Sequence, residues 1–389
     1  MLNLLVLFLL LGSHAIAAPT ITLIARANLE DGYRLPPGSF IDNTSPAIND
    51  KGSVAFKVLS FLDGKSGVVI VPAGEESKLV HASESELYLT DVSLTSHDEV
   101  YFSEFSETGP MGIYRFHQDQ LKKIFSVDDL FDFSAVGMPV ANSGGFCFKS
   151  TRGSDARANR EILCTGTTGG ELKKIFGEGQ PVKNGERASY IFTPGFNGKG
   201  EFAAKMRLGS RGEFAEERPD VVALVNKTGV HVLVSDINAD SASKFTRFNN
   251  SVSLNNHGEV ALVATTMDNK SCLLLASEAS AKVKVCDGEF GIKVIEYFAP
   301  QLNDRGSLAF RAFDMYGKRQ IYLFKKGDVT PQKLVGEDDL ITTDVGETRI
   351  TFREGFPGLS GNLGLNGLDQ IVFHAILGES GAGIFVVQD

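Results

Sequence analysis

The 389-residue chain predicts an all-β fold, and three observations carry that reading. The phrase NDKGSVAF at 49–56 returns as NNHGEVAL at 255–262 and NDRGSLAF at 303–310. Each copy has a short apolar segment before it and further alternating segments after it, the pattern of antiparallel strands joined by tight turns. The last copy lacks its final strand, and a segment with the matching pattern, LIARAN at 23–28, precedes the first copy. Seven four-stranded antiparallel units whose last member takes its outer strand from the N-terminus describe a closed ring, a seven-bladed β-propeller.

In chain order, MLNLLVLFLLLGSHAIAA at 1–18 joins a Leu-rich run to a small-residue end and reads as a cleaved secretory signal. Residues 19–389 then form a single propeller domain with no second apolar stretch long enough for a membrane span. Composition agrees, since Phe 28, Gly 41 and Trp 0 favour strands and turns over long helices. The net charge of −10 argues against a nucleic-acid partner.

Aligned on the glycine of NDKG, the seven copies fall at Gly52, Asp98, Gly144, Gly200, Gly258, Gly306 and Asp369. The position four residues later is Phe56, Phe102, Phe148, Ala204, Leu262, Phe310 and Phe373. Asn at the start of the turn can bond its own backbone and Gly near its end tolerates a positive φ, so both are read as hairpin chemistry. In this parse Cys147 and Cys164 lie on the second and third strands of blade three, and Cys272 and Cys286 on the third and fourth strands of blade five. Neighbouring strands approach within bridging distance, which predicts the disulfides Cys147–Cys164 and Cys272–Cys286.

The N-x-x-G-x-x-x-F spacing of Asn49, Gly52 and Phe56, repeated at Asn303, Gly306 and Phe310, resembles the bacterial secreted proteins with tandem NxxGxxxF repeats. The resemblance covers essentially the whole mature chain. It implies a propeller-like fold and export to the periplasm or beyond, and it brings no catalytic residues.

Turns of an up-and-down blade alternate between two faces. The short ones share one face and every long loop falls on the other, where recognition is expected. Three residue sets are candidates there. Acidic residues follow nearly every fourth strand, including Asp31, Glu84, Asp128, Glu178, Asp236, Asp287 and Glu337, and are read first as solvated turn residues, with a divalent cation as the alternative. Arg152, Arg157, Arg160, Arg207 and Arg211 lie on loops of blades three and four and suit a carboxylate or phosphate, unless Asp155, Glu213, Glu216, Glu217 and Asp220 neutralise them. Residues entering the first strands, Asp42, Asp91, Arg247, Glu296, Tyr297, Arg353 and Glu354, would line the channel mouth and could bind a sugar or act on one.

No zinc spacing, P-loop or dinucleotide fingerprint is present, and no cofactor is predicted. GLSGNLG at 358–364 lacks the spacing of a nucleophile elbow. The sequence therefore points to an exported, non-catalytic, monomeric propeller that binds a glycan, an envelope component or a protein partner. The alternative is a polysaccharide hydrolase or lyase with acid and base at the channel mouth.

Overall fold

The computed structural model describes residues 18–35, 38–41, 44–60, 65–83, 88–105, 112–126, 133–142, 145–153, 159–165, 172–213, 215, 217–352 and 357–389. The secretory signal through residue 17, and Asp42, Arg157, Arg353 and Glu354 among the candidate site residues, lie outside the described residues.

Seven antiparallel sheets follow one another along the chain as blades one to seven. Blade six is representative: Leu308–Asp314 pairs Arg319–Phe324, which pairs Gln332–Gly336 at the outer edge. Its inner strand comes in two pieces, Ile292–Ile295 against one end of Leu308–Asp314 and Gln301–Leu302 against the other. The same interruption divides the inner strand in blades one to five. In four blades a proline, Pro46, Pro139, Pro194 or Pro300, stands immediately before the second piece. Proline has no N–H for the ladder, so a strand accepts it only at an end or a bulge.

Blade seven is built from Leu359–Leu365, Ile371–Ile376, Ala382–Gln388 and, at its outer edge, the N-terminal strand Thr20–Ala27. The seam runs antiparallel from Thr20 opposite Gln388 to Ala27 opposite Ala382. Arg26 on this strand is buried and ties four segments together. It donates to both oxygens of Asp344 at 2.7 and 2.8 Å, to both of Asp31 at 2.9 and 3.1 Å, and to the Ser380 carbonyl. Asp344 belongs to a hairpin of two further strands, Leu340–Thr343 and Gly346–Arg349, inserted between blades six and seven.

The core lies between blades rather than within them. Phe373 and Phe385 of blade seven pack with Ala309, Ile321 and Leu323 of blade six, and Val372 and Ile384 pack with Val54, Phe56 and Val69 of blade one. The Phe of the repeat is buried in every blade that has one. Both cysteine pairs form disulfides, each pair being directly opposed across neighbouring strands.

The repeated turn does more than reverse the chain. Asn303 Oδ1 accepts the Ser307 N–H, as the hairpin reading requires. Its Nδ2 donates to the Asn366 carbonyl of the next blade at 2.8 Å and to Asp369 Oδ1 at 2.7 Å. The same carbonyl bond runs from Asn197 to Asn255, from Asn255 to Asn303 and from Asn366 round to Asn49, while Asn49 donates to the Thr95 carbonyl of blade two. The second motif position reaches the opposite way: Asp50, Asn256 and Asp304 accept N–H groups from Gly367, Gly198 and Asn256 of the preceding blade. The fourth position holds a positive φ, 83° at Gly306 and 63° and 64° where Asp98 and Asp369 replace glycine. One face of the ring is thus laced by hydrogen bonds that cross blade boundaries.

Candidate functional site

On the opposite face the acidic residues that end the outer strands are structural. Asp287 Oδ2 accepts the N–H of Ser271, the first residue of its third strand, and Oδ1 accepts the N–H of Ile295 on the inner strand of the next blade. Glu337 does the same with Arg319 and Gly358, and Asp236 accepts the N–H groups of Asp220 and Ala239. Glu178 pairs with Arg160 at 3.2 Å. Asp236 and Glu178 are buried, and burial raises both carboxyls above the ordinary range. The expectation of solvated turn residues is therefore corrected for Asp236, Asp287 and Glu337, which cap backbone N–H groups, and for Glu178, which is buried against Arg160, while Asp31 stays half-exposed beside Arg26. Glu84 and Asp128 lie outside the described residues. Among the described residues no group of three or more His, Cys, Asp or Glu side chains is placed to hold a metal ion.

The arginines of blades three and four do gather, and carboxylates meet them. Arg207 forms a bidentate pair with Asp220 at 2.8 and 2.9 Å, and Lys205 joins the same carboxylate at 3.1 Å. Arg152 and Lys174 share Glu161. Of the residues expected to neutralise the cluster, Asp220 does so, Glu213 pairs instead with Arg218, and Glu161 and Glu178 complete the set. Arg211 is exposed, and its charge acts on Glu178. An aromatic pair orders the cations: Tyr190 and Phe192 lie 4.7 Å apart, with Arg160 and Lys149 against the first ring and Lys205 and Arg207 against the second. Burial and the nearby Arg160 charge push the Lys149 amine down to about 8.

Toward the channel, the inner-strand interruptions of blades two to five each present a carbonyl to a side-chain donor from the preceding blade. The donor is the residue after the repeat's large apolar position. Ser103 Oγ donates to the Gly137 carbonyl at 2.9 Å, Lys149 to Phe192 at 3.2 Å and Lys205 to Phe248 at 3.1 Å. Lys57 approaches the Leu89 carbonyl and lies 3.8 Å from Asp91, whose carboxylate also accepts the Ser45 N–H. Asp91 is thus committed between blades one and two.

Glu296, expected at the channel mouth, is buried, with Arg319 at 2.6 Å from one oxygen and Arg311 at 2.8 Å from the other. Arg311 also stacks over Phe298 at 3.9 Å. Among the described candidates, Asp91 and Glu296 are held in ion pairs, while Tyr297 and Arg247 are exposed. Gly361, in the stretch that mimicked a nucleophile elbow, has a φ of 68°, and a Cβ there would meet the Thr44 carbonyl of blade one at 1.9 Å. Close approach of two inner strands accounts for that glycine.

Sequence reasoning missed a different feature of the same face. Large apolar side chains stand at loop tips over blades five to seven: Met267 and Met315 with Tyr316 in the second-to-third-strand loops, Phe290 between blades five and six, and Val345 at the tip of the inserted hairpin. Tyr316 is 89% exposed and Met267 67%. The signal was present, since TMDNK and DMYGK put a methionine or tyrosine where a turn normally carries polar residues.

Solved structures share the architecture. The beta-propeller domain of the Trilobed protease from Pyrococcus furiosus superposes with a TM-score of 0.58 at 9% identity, covering 90% of this chain and 95% of that one. That domain is described as having an open velcro topology, whereas here Thr20–Ala27 closes the ring. A puromycin-hydrolyzing peptidase of Mycobacterium tuberculosis gives 0.55 at 10% identity over 89% of this chain and 52% of that one, so this chain spans about half its length. The BP39L lectin from Burkholderia pseudomallei gives 0.50 at 10% identity over 88% and 94%. At these identities the likeness is one of fold alone. The search of curated proteins finds no match. A family model described as a family of unknown function (DUF7453) matches residues 111–377.

Proposed function

This chain belongs to the DUF7453 family of unknown function, and we propose that it is an exported, non-catalytic recognition module whose long-loop face over blades five to seven docks a partner. The observation that carries this reading is the run of exposed Met267, Phe290, Met315, Tyr316 and Val345 on successive loops of a rigid ring. Large apolar side chains grouped on one face are unfavourable in water and mark an interaction surface. Two disulfides support export, since such bonds persist in oxidising compartments. No helix among the described residues is long and apolar enough to cross a membrane.

Against the enzyme alternative, Glu296 is buried in ion pairs with Arg319 and Arg311, which hold it as a charged structural group rather than an acid or base. The basic cluster of blades three and four, in which Arg152, Arg160 and Arg207 pair with Glu161, Glu178 and Asp220, is read as a structural network rather than an anion site.

The test uses the mature chain, residues 19–389, and a variant carrying Met267→Ser and Tyr316→Ser. Both proteins are presented to separated glycan and protein fractions of the bacterial envelope, and retention is measured by biolayer interferometry. Retention by the wild type and at least a tenfold loss in a variant of unchanged melting temperature is expected. Equal retention by both proteins, or turnover of a retained glycan, would overturn the reading.

A further inference from the structure

The charge around the apolar loops says what kind of partner they suit. Segments 28–35, 236–248, 267–270, 287–298, 314–319, 337–352 and 377–381 form the long-loop face of blades five to seven, and together they contain 15 Asp and Glu against 8 Lys and Arg. The difference, 15 − 8, leaves −7 there out of −10 for the whole chain. Segments of the same face in blades three and four, 150–153, 159–161, 177–191, 207–213 and 217–220, contain 6 acidic and 7 basic residues. One face thus changes sign between these two sides of the ring, and Met267, Phe290, Met315, Tyr316 and Val345 stand on the acidic one.

Not all of these carboxylates are available, because Asp31 and Asp344 are held by the buried Arg26, and Asp236, Asp287, Glu296 and Glu337 are engaged within the fold. Those that remain at the surface stand beside the apolar tips. Asp268 follows Met267, accepts from the Thr266 hydroxyl through Oδ1 and meets only the exposed Lys270, at 3.7 Å, as a cation among the described residues; Asp338 pairs with the exposed Lys318, two residues from Tyr316. Exposed pairs of this kind contribute at most about 1 kcal/mol and exchange readily for an incoming cation. Methionine thioethers adapt to apolar side chains of varied shape, and an exposed tyrosine ring accepts a guanidinium or ammonium on its face.

Resting on the docking reading above, we propose that the partner is a cationic, apolar polypeptide segment, with its Lys and Arg side chains among the surface carboxylates and its apolar side chains on Met267, Phe290, Met315 and Tyr316. An acidic glycan or an anionic membrane would meet repulsion on this side, and a neutral glycan would gain nothing from the charge. The potential also draws a cationic segment to the right half of the face and disfavours the blade three and four side.

Fluorescence anisotropy on residues 19–389 tests this with three labelled twelve-residue peptides, one of Lys and Leu, one of Lys and Ser and one of Glu and Leu, and with a neutral Gln and Leu peptide as reference. The Lys and Leu peptide should bind at least tenfold tighter than the other three, and at least fivefold more weakly at 300 mM than at 50 mM NaCl. It should also lose at least fivefold in the Met267→Ser, Tyr316→Ser variant and in a separate Asp268→Asn, Asp338→Asn variant. Equal binding of the Lys and Ser peptide, or indifference to the Asp variant, would overturn the cationic-apolar partner. If the neutral peptide or a glycan binds best and the Met267, Tyr316 variant abolishes it, docking stands and the cationic partner fails. If that variant changes binding of no probe, both fail.

Discussion

His374 follows the repeat's Phe373 in blade seven and is fully buried, with Nδ1 2.6 Å from Ser360 Oγ. Burial, and then the Arg311 charge, push its pKa down to about 4 from the ordinary 6.5, against a smaller upward pull from the Ile41 carbonyl. The unfolded chain therefore takes up a proton near pH 6.5 that the native protein refuses until about pH 4. Stability must fall as pH drops through that window, by roughly 3 kcal/mol at about 1.4 kcal/mol per unit. His374→Gln, which keeps a partner for Ser360 and does not titrate, should remove that part of the slope when urea midpoints are compared between pH 7.5 and 4.5. Parallel slopes for the two proteins would show that His374 is not responsible. Arg26 is the other residue whose burial decides an outcome. Asp344 and then Asp31 hold its guanidinium charged, and it holds both carboxyls below their usual range. Those carboxylates favour the fold above their unfolded pKa, and that contribution is lost as pH falls through their lowered folded values.

At the scale of the element, the repeated turn is both a hairpin and a staple between blades. Asn303→Ala should leave the Asn366 carbonyl, Asp369 and the Ser307 N–H without their partner. A loss of about 2–3 kcal/mol is expected from hydrogen bonds of this kind. Blade two offers the converse test. Thr95 Oγ1 accepts from the His97 and Glu99 N–H groups, as the motif Asn does, but a hydroxyl so placed has no amide to send to blade three. Thr95→Asn should keep the turn and add that bond toward the carbonyl of residue 142, raising stability by about 1 kcal/mol. A gain in the urea midpoint supports the staple; an unchanged or lower midpoint at Thr95 with a full loss at Asn303 would confine the motif's effect to its own turn.

For the whole molecule, closure depends on Thr20–Ala27 staying in blade seven. Arg26→Met removes the guanidinium that joins this strand to the inserted hairpin and to residue 380. The freed carboxylates of Asp31 and Asp344 are partly exposed and can hydrate, so the cost should sit near about 2–3 kcal/mol, below that of an ion stranded in the interior. Hydrogen exchange should accelerate first at residues 20–27 and 382–388, while blade five, held by Cys272–Cys286, changes little. Uniform acceleration around the ring would mean that the seam is no weaker than any other blade boundary.

What the sequence determined by itself was everything local and repeated. The spacing of Asn49, Gly52 and Phe56 and of their counterparts specified seven hairpins, because turn geometry and strand alternation are properties of a few consecutive residues. The unmatched strand near the N-terminus specified closure, and strand placement specified both cysteine pairs. Only tertiary structure decided the rest, since which side chain meets which across a blade boundary depends on residues about 50 to more than 300 positions apart, as with Asn255 and Asn303 or Asn366 and Asn49. Acidic residues that read as a solvated rim became backbone caps because folding brings the start of a third strand and the next inner strand beside them. The basic loops became an internal network for the same reason, their carboxylate partners Glu161 and Glu178 coming from neighbouring strands rather than from the loop sequence. Met267, Phe290, Met315 and Tyr316 share a face only because the ring turns three loops of neighbouring blades the same way. No window of sequence contains all of them.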